Sequence, residues 1–224
     1  MTCRAITAVL PKKDKSWYVT LYPFYKQMPD ILFCTATAKD QSKNNSTDLT
    51  YRVWKVGSDK SLYGVAAGMM GSVGKNSKLT SVPAEYESDY NRTHPTQDGI
   101  KSNFTRIDQV RQGNTVPLFF DCTTVDASFF TSNGYVADPP PYKGADPSGG
   151  NATWRAVINR HGSNSDGATV IVFVDGSARK VYLKEMYKLK WNKLFDTNAN
   201  LPSKWPKWMS SFRDFGMTVR SAGK

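Results

Sequence analysis

The pattern of apolar and polar positions is clearest in the last third of the chain. Residues 168–174 (ATVIVFV) form an unbroken, β-branched run, which predicts a strand buried on both faces. Asp175-Gly176 follows as a two-residue turn signal, and 177–181 (SARKV) reads as the return strand of a hairpin. Leu183, Met186, Tyr187, Trp191, Leu194 and Phe195 then recur at three- and four-residue spacing. That spacing predicts an amphipathic helix over 183–195, with Lys184, Lys188 and Lys193 turned outward. Further strands are predicted at 31–34, 51–56, 116–121 (after a turn at Gly113-Asn114) and 154–159. A short helix or turn is expected around 17–25, and the closing aromatics of WPKWMSSFRDF are expected to pack back on the sheet.

Between these segments the chain is polar and rich in turn formers. Residues 38–50 and 81–103 read as loops, and 57–80, with five of the sixteen glycines, as irregular, closely approaching backbone. Residues 131–152 carry four of the twelve prolines, three of them consecutive at 139–141, and read as a stiff surface loop that could also dock on an aromatic groove. Strands, long loops and one late helix make the fold class α+β.

Composition changes this picture little, but charge changes it. The chain has 224 residues, 39% hydrophobic and 22% charged, enough to bury a core without cross-links. No apolar run approaches the roughly 18 residues of a membrane helix. The formal charge is +11, and residues 179–224 hold eleven Lys/Arg against three Asp/Glu. The surplus is therefore concentrated on the late helix and tail, a face suited to subunit contacts or to an anionic polysaccharide or DNA. Motifs of specific nucleic-acid readers are absent.

Candidate chemistry is sparse. Cys3, Cys34 and Cys122 make no framework and no CxxC. Cys34 and Cys122 each close an apolar run, so they either form a disulfide or are buried thiols. Two histidines, His94 and His161, without a cysteine cluster argue against zinc. Asp138, Asp146 and the turn 162–167 (GSNSDG) offer oxygens for calcium, without EF-hand spacing. A hydrolase would have to pair His161 with Asp175 or Asp121 within hydrogen-bond reach and in a cleft. Otherwise His161 tethers a loop and Asp175-Gly176 makes a turn. No GxSxG or GxGxxG occurs, so no enzyme is expected.

An ordered set of matches resembles a known family. Asn159-Arg160-His161, Phe173-x-Asp175-Gly176-Ser177-x-Arg179, Leu189-Lys190-Trp191 and Trp205-Pro206-x-Trp208-Met209 follow one another. With Trp17, 21–24 (LYPF) and 32–34 (LFC), they resemble bacterial pilin-like proteins, pseudopilins with a processing-associated His…Asp-Gly C-terminal domain. The chain departs in having thirteen residues between His161 and Asp175, and Thr35 where the family has proline.

The resemblance implies a single pilin-like head over 1–224: a loop-rich variable part at 16–112 and the C-terminal module at 113–215. It implies an antiparallel sheet whose apolar side rests on a hydrophobic N-terminal helix, which is missing from this sequence, so an apolar strip should be exposed. It further implies a structural subunit of a type II secretion-like or type IV pilus-like filament at the cell envelope or outside the cell. Partners would be other pilin-like subunits, with membrane contact only through the missing helix. The motif residues Arg160, His161, Asp175, Gly176, Arg179, Trp191, Trp205 and Trp208 would be structural.

Overall fold

The computed structural model describes residues 16–37, 50–58, 66–93, 99–129, 131–132, 135–136, 138–140, 152–162, 166–198 and 205–213. Its centre is a five-stranded sheet of β3 (Val73–Asn76), β4 (Pro117–Asp121), β5 (Asp126–Ala127), β8 (Ala168–Phe173) and β9 (Ala178–Tyr182), in the order β5-β3-β4-β8-β9. Every neighbouring pair is antiparallel except β3 and β5. Two-stranded pairs join β1 (Trp54–Lys55) to β2 (Met70–Gly71), and β6 (Thr131–Ser132) to β7 (Tyr135–Val136). Two α-helices, α1 (Trp17–Tyr25) and α2 (Glu87–Thr93), and several short 3-10 turns complete the described residues, so the class is mixed α+β. No helix among the described residues is long and apolar enough to cross a membrane.

The β8–β9 hairpin forms as its residue pattern dictates. Val172 pairs with Ala178 and Ala168 with Tyr182, and Gly176 takes φ 87° in the turn, a conformation a side chain would strain. Only one side of β8 is fully buried, however. Ile171 and Phe173 are inaccessible, whereas Val170 is 41% exposed, which corrects the expectation of burial on both faces. The buried side, with Phe120 and Val181, packs against Leu183, Met186, Tyr187, Trp191, Phe195, Met209 and Phe212. Trp191 stacks on Phe129 at 4.4 Å and meets Phe120 edge-on at 5.1 Å. The closing aromatics return to this core as expected: Trp205 and Trp208 pack on it, and Trp208 Nε1 donates to the Pro140 carbonyl at 2.9 Å.

On the other side, α1 lays Trp17 against Phe119 at 5.0 Å, and Trp17 Nε1 donates to Val125 O at 2.7 Å. Pro23 sits inside α1 and cannot donate to Val19, so packing rather than helix propensity holds this element.

Several expected elements take other forms. The helix over 183–195 is a 3-10 turn, Glu185–Lys188, that ends at an extended Leu189 and gives way to a further turn around 192–195. Its amides are used elsewhere: Lys190 N donates to Thr115 O and Lys193 N to Ser102 O, so helical bonding is displaced by long-range pairing. The apolar positions are still buried, apart from Leu194 at 51% exposure. Lys188 and Lys193 are exposed, but Lys184 is buried, its Nζ donating to Phe212 O at 2.9 Å, which corrects its assignment to an outward basic face.

Residues 154–159 are no strand either. Trp154 and Arg155 belong to the 3-10 turn Ala152–Arg155, and the amides of Ala156 and Val157 both donate back to Thr153 O instead of to a neighbouring strand. Residues 31–34 enter a 3-10 turn, Pro29–Leu32, because Pro29 and Asp30 open it. Conversely, β3 lies in the glycine-rich segment and α2 in the polar one. Gly74 admits β3 beside β4, since a Cβ there would come 2.6 Å from the Cβ of Cys122. Residues 38–49, His94, Asp146 and most of the proline-rich loop fall outside the described residues.

Candidate functional site

Of the two alternatives open for Cys34 and Cys122, a disulfide or separate thiols, the structure has separate thiols. Cys122 is buried behind Gly74 with its Sγ 3.4 Å from the Thr124 hydroxyl, and burial pushes its pKa up to about 11. Cys34 faces a different partner: its Sγ is 3.1 Å from His161 Nε2. The same Nε2 lies 3.0 Å from Asp121 Oδ2. Sγ, Oδ2 and Nε2 all lie within 4.8 Å of one another.

Each side chain is delivered by a separately fixed piece of backbone. Asp121 ends β4, where Oδ2 also accepts from the Thr169 hydroxyl at 3.1 Å and from Val170 N at 3.2 Å. Cys34 follows the 3-10 turn Pro29–Leu32. Its amide donates to Ser72 Oγ at 2.6 Å and its carbonyl accepts the Thr37 hydroxyl at 2.6 Å. His161 stands in the connection into β8, held by its own amide on Ala168 O, while Asn159 Oδ1 accepts from Gly162 N and Ala168 N. Arg160 next to it is buried. Its guanidinium donates to Thr50 O (2.7 Å), Arg52 O (2.6 Å) and Ser72 O (2.9 Å), and sits 3.6 Å from Asp121 Oδ1. Arg160 therefore ties three chain segments together and neutralises the buried carboxylate.

The electrostatics follow from these contacts. Burial pushes the Asp121 carboxyl up, but the His161 hydrogen bond and the Arg160 charge outweigh it, and the group stays below the usual carboxylate range. The hydrogen bond to Asp121 raises the His161 pKa. Burial, and then the Asp121 charge, raise the Cys34 thiol. Cys34 is thus held protonated, unlike an activated nucleophile.

The three residues line a trough of about 220 Å³ together with Phe33, Val73, Phe119, Phe120, Val170 and Val172. His161 and Asp121 meet both requirements of the hydrolase reading: distance and a cleft. The shared nitrogen counts against a thiol relay. In a relay the carboxylate holds one ring nitrogen while the other takes the nucleophile's proton. Here Asp121 and Cys34 converge on the same nitrogen, and the proton that faces Asp121 leaves Nε2 unable to accept the thiol proton.

Asp175 is not in the cluster. It is exposed, its Oδ1 accepts from the amide (2.9 Å) and hydroxyl (2.7 Å) of Ser177, and it shapes the turn with Gly176. Arg179 pairs with Glu185 at 2.6 Å and lies 4.9 Å over the Phe173 ring. Trp191 is a core residue, and Trp205 and Trp208 are partly buried against that core. The sequence reading paired His161 with Asp121 or Asp175 as a hydrolase alternative but left Cys34 to a disulfide or a buried thiol, so the place of the cysteine in the cluster went unseen. Its one local signal of a shared site was a carboxylate ending a buried apolar strand, a position an unpaired acid would not occupy.

Compared with known protein families, curated proteins and solved structures, the chain matches none of them. Fold and site define an α+β protein with one apolar sheet side left partly open by the described residues and a Cys–Asp–His cluster lining a trough.

Proposed function

We propose that the chain is a structural, assembling protein rather than an enzyme. More particularly, it is the head of a pilin-like or pseudopilin subunit of an envelope or extracellular filament serving secretion or adhesion. The supporting observation is the apolar side of the central sheet that the described residues leave open. Val170 is 41% exposed in mid-strand, and Val73, Phe119 and Val172 line the trough beside it. Phe24 (77% exposed), Met28 (62%) and Ile31 (62%) add large apolar side chains on the segment that leads to its wall. A patch of this kind marks a surface that another element covers. In a pilin-like filament that element is a packed helix, and neighbouring heads tile around it.

Electron microscopy of the full-length protein tests the reading. Filaments are expected from the wild type and none from Val170→Lys. Because Val170 is partly exposed, that substitution should cost no more than about 1 kcal/mol of stability, read in urea melts. A wild type that stays monomeric under all assembly conditions, or a Val170→Lys protein that polymerises normally, would refute it.

A second reading, an anionic-ligand surface, keeps Lys188 and Lys193 as exposed cations and loses Lys184 to the interior. It expects heparin or DNA binding that weakens steeply with salt and is reduced by Lys188→Ala/Lys193→Ala. A flat response to salt would discard it.

A further inference from the structure

The geometry points to a zinc-type divalent metal site formed by Cys34 Sγ, Asp121 Oδ2 and His161 Nε2, with its remaining coordination position facing the trough. Thiolate, imidazole and carboxylate are the ligand types zinc takes, and three protein ligands with one outward position is a recurrent arrangement. Bonds of about 2.0–2.3 Å place neighbouring ligand atoms of a tetrahedron about 3.3–3.7 Å apart. The Nε2–Sγ separation of 3.1 Å and the Nε2–Oδ2 separation of 3.0 Å are within a few tenths of an ångström of that edge. A cation between the three atoms also removes the conflict at the ring. Nε2 serves Asp121 and Cys34 at once, which a single proton does poorly and a metal ion does by design.

The second layer of contacts is already in place. The Thr169 hydroxyl and Val170 amide hold the ligating oxygen of Asp121, and Ser72 and Thr37 hold the Cys34 backbone. Thiolate and carboxylate balance a divalent charge, which leaves the cluster with the one positive charge of Arg160, 3.6 Å from the far oxygen, Oδ1. Lys180 is the other cation that His161 senses. Binding releases the Cys34 proton to solvent and changes no oxidation state.

The test is a titration of the whole chain under reducing conditions with Co²⁺ and then Zn²⁺. One equivalent of Co²⁺ should give a thiolate-to-metal charge-transfer band and the visible bands of a tetrahedral ion. Zn²⁺ should displace it and raise the melting temperature. The Cys3→Ser/His94→Ala variant should behave as wild type, because it removes the two soft side chains outside both Cys34–His161 and the buried Cys122. Cys34→Ser should abolish the charge-transfer band, and Thr169→Val should weaken Zn²⁺ at least about tenfold, in addition to the stability that the metal-free chain loses with the hydroxyl's hydrogen bond to Asp121. If Cys34→Ser does not fold, the wild type and the Cys3→Ser/His94→Ala variant decide by themselves. The inference is overturned by a wild-type Co²⁺ spectrum without a thiolate band. It is equally overturned by binding that survives in folded Cys34→Ser or disappears in Cys3→Ser/His94→Ala.

Discussion

Lys75 shows how a single buried charge is tolerated. Its side chain is 4% exposed, Nζ donates to Leu79 O at 2.7 Å, and burial lowers its pKa to about 8, partly offset by Asp126. Between pH 8 and the ordinary lysine value, the unfolded chain holds a proton that the folded chain has lost. Stability contributed by this group therefore rises with pH across that window, and below it the penalty is constant. Lys75→Met should be more stable than wild type at pH 7 by about 2 kcal/mol, after allowing for the orphaned Leu79 carbonyl. The advantage should shrink as the pH approaches 10.5, read from urea melts of both chains at several pH values. An advantage independent of pH would show that Lys75 is not the titrating group. Cys34 and His161 carry the same lesson: neighbours in space, not in sequence, decide what each side chain is.

At the scale of elements, the β8–β9 hairpin is the piece whose local chemistry and final form agree. Gly176 has φ 87° and open space around it, so Gly176→Ala suffers backbone strain alone and should cost about 1 kcal/mol. Gly74 differs, because its missing Cβ is the room that Cys122 and the Thr124 carbonyl occupy. Gly74→Ala must push β3 off β4 and should cost about 2–3 kcal/mol, clearly more than the turn variant. Equal losses in thermal melts would contradict this. The segment 183–195 is the opposite case. Its three- and four-residue spacing does mark buried positions, but Thr115 and Ser102 offer its amides acceptors that compete with helical bonding. Periodicity reports which side chains are inside, not which hydrogen bonds the backbone makes.

At the scale of the molecule, Arg160 joins the segments around residues 50–52 and 72 to the end of β4. Arg160→Lys keeps the charge but not the fork, so several carbonyls lose their donor. A loss of about 3–5 kcal/mol is expected, as for other broken buried pairs, with the segments on either side loosening together in hydrogen exchange. A change below about 1 kcal/mol would mean that the loops hold each other without it. The apolar side of the sheet that the described residues leave open belongs to this scale too, with Val170 41% exposed in mid-strand.

The sequence by itself determined the α+β class, the β4 strand, the β8–β9 hairpin and the identity of most core residues. Those rest on short-range rules: β-branched runs extend, Asp-Gly turns, and large apolar side chains leave water wherever the backbone allows. The tertiary structure alone decided that β8 has one open side, that Lys184 is buried, that Cys34 and Cys122 stay apart, and that Cys34, Asp121 and His161 meet. Each of these depends on which distant segment supplies the partner. Cys34 and His161 are 127 residues apart, and no local preference of either encodes the other. Their meeting follows from how β4, the 3-10 turn before Cys34 and the loop into β8 pack, a global minimum of burial and hydrogen bonding that no window along the chain contains.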